Sequence, residues 1–404
     1  MIVRRFLLWA RSASPGARAE AISALARSYL YSDLDAQDLR DAETALTAML
    51  DDPSPLVRRA LAEALANAPD APRHVVVALA NDQPDIAACV LARSPLLSEA
   101  DLVDCAALGD RFTQIAIALR VRVTPPVCAA LAEIGAADAL IELVDNPGAE
   151  IPHSAYARML ARHGDVADLR EAMLARPDLP LPVRQSIAVA VAESLRLFVQ
   201  ERGWMSAERT ERVTREACEK TTIALSDRVD PADVVSLVGH LHASNQLTPA
   251  LMLRAVLSHG LAFAEAAFAE LADIPPARAS ALLQDRRGAG FPALYRKAGL
   301  PPGLFPAFDA ALSALREPAR DGAAAGLHLS RRMVERVLSA CSQLPADEAG
   351  KLLALLRRYE SEAAREEARE MSMAMVDDAA LDAALGHVEE GIARAIAVRS
   401  RLAA

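Results

Sequence analysis

Eight histidines, five cysteines and a few carboxylate pairs are the residues of this 404-residue chain from which catalytic or metal chemistry could be assembled. His240 and His242 are two positions apart, about 200° around a helix, so one helical face cannot present both to a metal. His153 and His163 could approach across a helix, although solvated or singly bonded rings are the simpler reading. Cys89, Cys105, Cys128, Cys218 and Cys341 lie far apart, without a C-x-x-C pair, inside apolar helical patterns. They read as buried free thiols of a reducing compartment. No H-E-x-x-H or G-x-S-x-G occurs, and the "GAG" at Gly288–Gly290 follows no strand and lacks the third glycine of a dinucleotide loop. Asp51/Asp52 and Asp377/Asp378 stand at helix starts, where negative charge favours the helix dipole. The expectation is no catalytic residue, no metal and no cofactor, with an enzyme gathered from distant helices left open.

Binding residues are the next resource. "LYRKAGLPP" (Leu294–Pro302), with Arg286 and Arg287 just upstream, is the one conspicuous basic patch. In one reading Arg296 and Lys297 are the last turn of a helix, favourable against its negative end, and Gly299 is the stop. In the other, Arg286, Arg287, Tyr295, Arg296 and Lys297 recognise an acidic segment of a partner protein. The formal net charge of −10 argues against a general nucleic-acid binder but leaves room for one basic stripe.

The elements that must position such residues are helices. An apolar fraction of 52%, only 4% aromatic residues and the dominance of alanine and leucine favour close-packed helices over sheets. Ser54-Pro55, Thr124-Pro125, Asp230-Pro231 and Thr248-Pro249 each precede an apolar helical run. Proline suits the first helical position, where its missing N–H would have no partner, and the residue before it can cap the free N–H groups. Ser98 and Asp101 have the spacing of a capping box, with Asp in place of the usual Glu. So delimited, the helices are short and their linkers run to two to six residues, which forces antiparallel neighbours. The start "MIVRRFLLWARSASPGA" has a twin-arginine look at Arg4 and Arg5. Its apolar run, Phe6–Ala10, is too short for a leader, and no stretch has the length of a spanning helix. A protein of the cytoplasm, off the membrane, is expected.

Two segments align internally. "DPSPLVRRALAEAL" from Asp52 lies on "DLPLPVRQSIAVAV" from Asp178, matching Asp52, Val57 and Arg58 with Asp178, Val183 and Arg184, and Leu61 and Leu65 with Ile187 and Val191. "NDQPDIAACVLA" from Asn81 is a degenerate copy without the arginine. Asp, a proline-bearing turn, Val-Arg and an apolar helix resemble the second helix of HEAT repeats, helix pairs of about forty residues that stack into a superhelix. That resemblance implies that the repeated Asp and Arg pair between neighbouring turns as a ladder. The alternative is an anion-facing stripe of the kind used by HEAT-like DNA alkylpurine glycosylases. Such a stripe needs aligned basic residues and exposed aromatics, and neither Trp9 nor Trp204 lies in a repeated basic helix. The stretches Val77–Arg120 and Phe291–Leu312 also resemble an uncharacterised bacterial family of unknown function, over most of the chain to about residue 320. It implies a helical fold and no site residue.

The expected fold is therefore all-α, a HEAT-like α-solenoid of short antiparallel helix pairs with additional C-terminal helices. Its divisions are repeats over 1–205, a second helical region over 206–320 and long C-terminal helices over 321–404. The last helix, near Ala379–Leu402, keeps Leu381, Leu385, Val388, Ile392 and Ile396 on one face, to cap the stack or to form a homodimer. The expected function is a non-enzymatic protein-interaction scaffold with a protein partner of open identity. The alternative is a HEAT-like nucleic-acid binder or base-excision enzyme.

Overall fold

The computed structural model describes residues 2–227, 229–285, 290–316, 329–342, 350–369, 371–373 and 375–376. The C-terminal helix expected near Ala379–Leu402 lies outside them. Every element among the described residues is helical, apart from one isolated parallel bridge between Val123 and Ala149. The chain forms two compact units, Met1–Leu195 and Arg196–Ala404.

The first unit opens with α1 (Ile2–Ala10), α2 (Pro15–Tyr31), α3 (Ala36–Ala48) and α4 (Pro55–Leu65). Then come α5 (Arg73–Ala80), α6 (Pro84–Leu91), α7 (Glu99–Leu108) and α8 (Arg111–Ala118). It continues through α9 (Pro125–Ile134), α10 (Ala137–Asp145), α11 (His153–His163), α12 (Ala167–Ala175) and the start of α13 (Leu181–Glu201). Helices α2, α4, α6, α8, α10 and α12 pack each on the next, and α7, α9 and α11 do likewise. Alternate helices thus fall into two layers, the packing of a solenoid, with one continuous core between them. Leu61 and Leu65 of α4 are fully buried in that core. Leu65→Ala should therefore cost about 2–5 kcal/mol in urea unfolding of this unit.

The proline starts are real, but their caps differ. Asp230 and Thr248 accept helix N–H groups at 2.8 and 3.1 Å, and Ser98 with Asp101 completes a capping box. Ser54 and Thr124 make no such side-chain bond. At the first of these turns the Asp52 carboxylate does the local work, accepting the Ser54 N–H at 2.9 Å. The internal alignment also weakens along α13. Ile187 is buried as Leu61 is, yet Val191, aligned with buried Leu65, is 43% exposed.

Arginines stitch the turns of the stack. Arg18 holds Asp52 at 2.8 and 2.9 Å, and Arg58 holds Asp82 at 2.7 and 3.0 Å while also donating to the Asp52 carbonyl. Burial alone would push the Asp52 and Asp82 carboxyls up. Their arginines and the N–H groups of Ser54 and Gln83 hold both below the usual carboxylate range instead. Farther along, Arg120 donates to the carbonyls of Leu91 and Ser94. Asn146 bonds the carbonyls of Ala118 and Arg120, and Arg176 those of Val144 and Asn146. Arg184 also bonds carbonyls, of Leu179 and Arg176, because Asp178 is taken by Arg176 at 2.8 Å. Gly148 has to be glycine, since a Cβ there would sit 1.9 Å from the Val121 carbonyl oxygen.

The second unit contains α14 (Ala207–Leu225), α15 (Pro231–Ala243), α16 (Pro249–Leu257), α17 (Leu261–Ala272) and α18 (Pro276–Gln284). It goes on with α19 (Phe291–Lys297), α20 (Phe305–Arg316), α21 (Arg331–Cys341) and α22 (350–369). Its centre is α16, where every residue from Leu251 to Leu257 is buried, packed against α14, α17 and α20. A helix apolar on all sides belongs inside a bundle. One of its buried residues is an arginine.

Candidate functional site

Arg254, 2% exposed, lies in the middle of α16 with its guanidinium between two carboxylates from other helices. It reaches Glu362 of α22 at 2.7 and 2.8 Å and Glu219 of α14 at 3.1 Å, and lies 4.8 Å over the Tyr359 ring. Burial by itself would lower the Arg254 pKa, but the Glu362 bonds, the Tyr359 ring and Glu219 reverse this and hold it charged. Burial dominates at Glu219, whose carboxyl is pushed above the ordinary glutamate value despite Arg254. Tyr359 is anchored as well, its hydroxyl donating to the Ala250 carbonyl at 3.0 Å.

The same contacts set α22 against α14. Arg358 bonds Glu216 at 2.7 Å and Lys220 bonds Glu366 at 2.8 Å. Between the two helices runs an open groove of about 550 Å³, lined by Arg209, Arg212, Val213 and Glu216 on one side. Arg357, Arg358, Ser361, Glu362, Arg365, Glu366 and Arg369 line the other. Its three carboxylates are already engaged, Glu216 by Arg358, Glu362 by Arg254 and Glu366 by Lys220. Among the described residues, none is in ion-pair range of Arg209, Arg212, Arg357, Arg365 or Arg369. Among the described residues Arg365 bonds Ser361, through its carbonyl and hydroxyl oxygens. A row of guanidinia that no described carboxylate neutralises, in a chain of net charge −10, is a local positive field on an acidic molecule.

The residues singled out from sequence lie elsewhere. Arg286 and Arg287 are outside the described residues. Tyr295 is 2% exposed among Phe268, Phe291, Phe305 and Phe308, its hydroxyl donating to the Pro301 carbonyl at 2.7 Å. It is a core residue and offers a partner no surface. Arg296 and Lys297 are exposed in the last turn of α19, where Lys297 reaches the Asp273 carbonyl at 3.4 Å. Asp52, Val57, Arg58, Asp178, Val183 and Arg184 all belong to the stack, with Val57 and Val183 in its core.

His153 and His163 end the same helix, about 15 Å apart along its axis at the usual rise, and do not meet. His242 bonds Glu270 at 2.9 Å, and His163 lies 3.3 Å from the Gly135 carbonyl. Among the described residues, no three His, Cys, Asp or Glu side chains gather as a metal site. Burial pushes the Cys128 thiol up to about 12, so it stays protonated and a poor nucleophile.

A family model described as an uncharacterised protein conserved in bacteria (DUF2336) matches residues 86–347, well over half of the chain. The chain belongs to that family. No curated protein and no solved structure matches it. In this DUF2336 protein the match takes in the α14 wall of the groove and the α16 arginine, while α22 follows it in sequence. No helix of the DUF2336 protein is long and apolar enough to cross a membrane, among the described residues.

Sequence reasoning missed the groove. Its walls are separated by about 150 residues of chain, and the Glu/Arg-rich second half of α22 reads as a solvated helix face with i,i+3 pairs. The usable signal was an excess. Arg357, Arg358, Arg365 and Arg369 outnumber the acids on one side of that helix.

Proposed function

We propose that this protein is a non-enzymatic interaction scaffold that holds a protein partner. The observation that carries the reading is the set of guanidinia in the α14–α22 groove that no carboxylate of the described chain neutralises. Arginine-rich concave surfaces are recognition surfaces, since a guanidinium binds carboxylate bidentately and is weakly hydrated. The stack of the first unit adds a second extended surface, and interaction is the commonest use of such arrays. Five free cysteines, with Cys105, Cys128 and Cys341 buried, fit the reducing cytoplasm as its compartment.

The nucleic-acid reading is weaker on the same ground. Among the described residues no aromatic ring lines the groove, so bases would find no ring there to stack on. Cross-linking of the full chain in lysate of its own host, followed by mass spectrometry, tests the reading. A stoichiometric protein partner is the expected result. No protein partner, together with a DNA gel shift that collapses between low and moderate salt, would replace it with nucleic-acid binding.

A further inference from the structure

Two walls of arginines at helical spacing face one another across the α14–α22 groove. Arg209 and Arg212 are one turn apart on α14, and Arg365 and Arg369 one turn apart on α22, with Arg357 two turns before Arg365. At 1.5 Å rise per residue, Arg209 and Arg212 lie about 4.5 Å apart along α14 and Arg365 and Arg369 about 6 Å apart along α22, with Arg357 about 12 Å before Arg365. A helix carrying acids at i, i+3 and i+4 repeats its carboxylates at the two shorter intervals. Among the described residues Val213 is the one aliphatic side chain that lines the groove, so an amphipathic apolar helix meets no row of aliphatic partners there.

We propose that the groove between α14 and α22 is the docking site for an acidic, glutamate- or aspartate-rich segment of a partner protein, read through Arg209, Arg212, Arg357, Arg365 and Arg369. The proposal rests on the scaffold reading and names the chemistry of its partner. Two features favour separate carboxylates over a nucleic-acid strand. Glu216, Glu362 and Glu366, each already held by a cation, interrupt the rows of arginines, so the remaining guanidinia are separate points and not the continuous strip that a line of phosphates would follow. Carboxylates on a helix can address single guanidinia between them. The net charge of −10 also repels a long polyanion, whereas a short segment feels mainly the groove's own field within a Debye length of about 8–10 Å. The ion pairs Arg358–Glu216 and Lys220–Glu366, with Arg254 behind them, keep both walls in place before anything binds. Such preorganisation lowers the ordering cost of binding.

The test uses the full chain and a fluorescein-labelled oligoglutamate peptide, read by anisotropy, against a labelled deoxythymidine oligonucleotide of equal charge. Wild-type protein should bind the peptide more tightly than the oligonucleotide, with affinity falling as salt rises. The double variant R212E/R357E should bind it at least about tenfold more weakly. R278E, which changes an exposed arginine on α18 of the same unit, should bind as wild type does. Thermal melts of both variants should overlay the wild type, because all three positions are exposed and unpaired among the described residues. Preference for the oligonucleotide, or equal loss in R212E/R357E and R278E, would overturn the proposal. Failure to bind either probe, while cross-linking still recovers a protein partner, would overturn this site and leave the scaffold reading standing.

Discussion

Replacing Arg254 with methionine should destabilise the second unit by about 3–5 kcal/mol in urea unfolding, with the first unit's transition unmoved. Methionine fills most of the same volume on α16, so the loss would not come from a cavity. It would come from Glu219 and Glu362, which keep their partly buried positions and lose the cation that faces both. The loss has a pH signature. In the wild type the Glu219 carboxyl sits above its ordinary value of 4.5, burial outweighing Arg254. A carboxyl raised on folding contributes its stability below the unfolded value, and that contribution disappears as pH rises through the folded one. Without Arg254 the folded value moves further up, so R254M should be least deficient near pH 4.5 and most deficient at neutral pH. Glu219→Gln in the wild-type background should flatten the slope that Glu219 contributes. Glu219→Gln and Glu362→Gln added to R254M should restore most of the lost stability at pH 7, since no uncompensated charge then remains. A deficit in R254M that does not vary with pH would assign Arg254 a packing role and take the charge argument away.

The groove depends on that arginine, which sequence reading passes over. Arg254 stands in "PALMLRAVLSHG" as a single charge inside an apolar run, and no neighbour in that run marks it as paired. Its two acids come from helices about 35 residues before it and 108 residues after it, and no local pattern pairs them. Helix starts are a different case. Proline with a preceding Ser, Thr or Asp acts within a few residues, so the starts at Pro55, Pro125, Pro231 and Pro249 were legible from types alone. Which atom caps each start was not, because Ser54 competes with Asp52 for the same turn and the outcome depends on where Arg18 draws the Asp52 carboxylate. The all-helical, solenoid-like packing was legible for the same local reasons: short runs, short linkers, few β-formers. The register between helices was not. Asp82 stands in the copy of the motif that lacks an arginine, and it is that aspartate which binds Arg58.

The stretch "LYRKAGLPP" gives the last and sharpest contrast between a binding residue and a core residue. Phe268 of α17 is fully buried, with Phe291 at 5.7 Å, Phe308 at 5.8 Å and Tyr295 at 6.5 Å between ring centroids. Phe268→Ala removes the ring on which α19 and α20 meet and should cost about 3–5 kcal/mol, read as a lower Tm and an earlier urea midpoint for the second unit. Tyr295→Phe keeps the ring and loses only the hydroxyl bond to the Pro301 carbonyl, so about 1 kcal/mol is expected. Arg296→Ala, on the exposed side of the same helix, should change stability by no more than about 0.5 kcal/mol. A recognition role for Tyr295 predicts the reverse order, because a hydroxyl waiting for a partner holds nothing in the free protein. Y295F would then melt with the wild type and lose affinity for the cross-linked partner. The buried hydroxyl and its carbonyl acceptor require instead that Y295F lose stability and keep the partner.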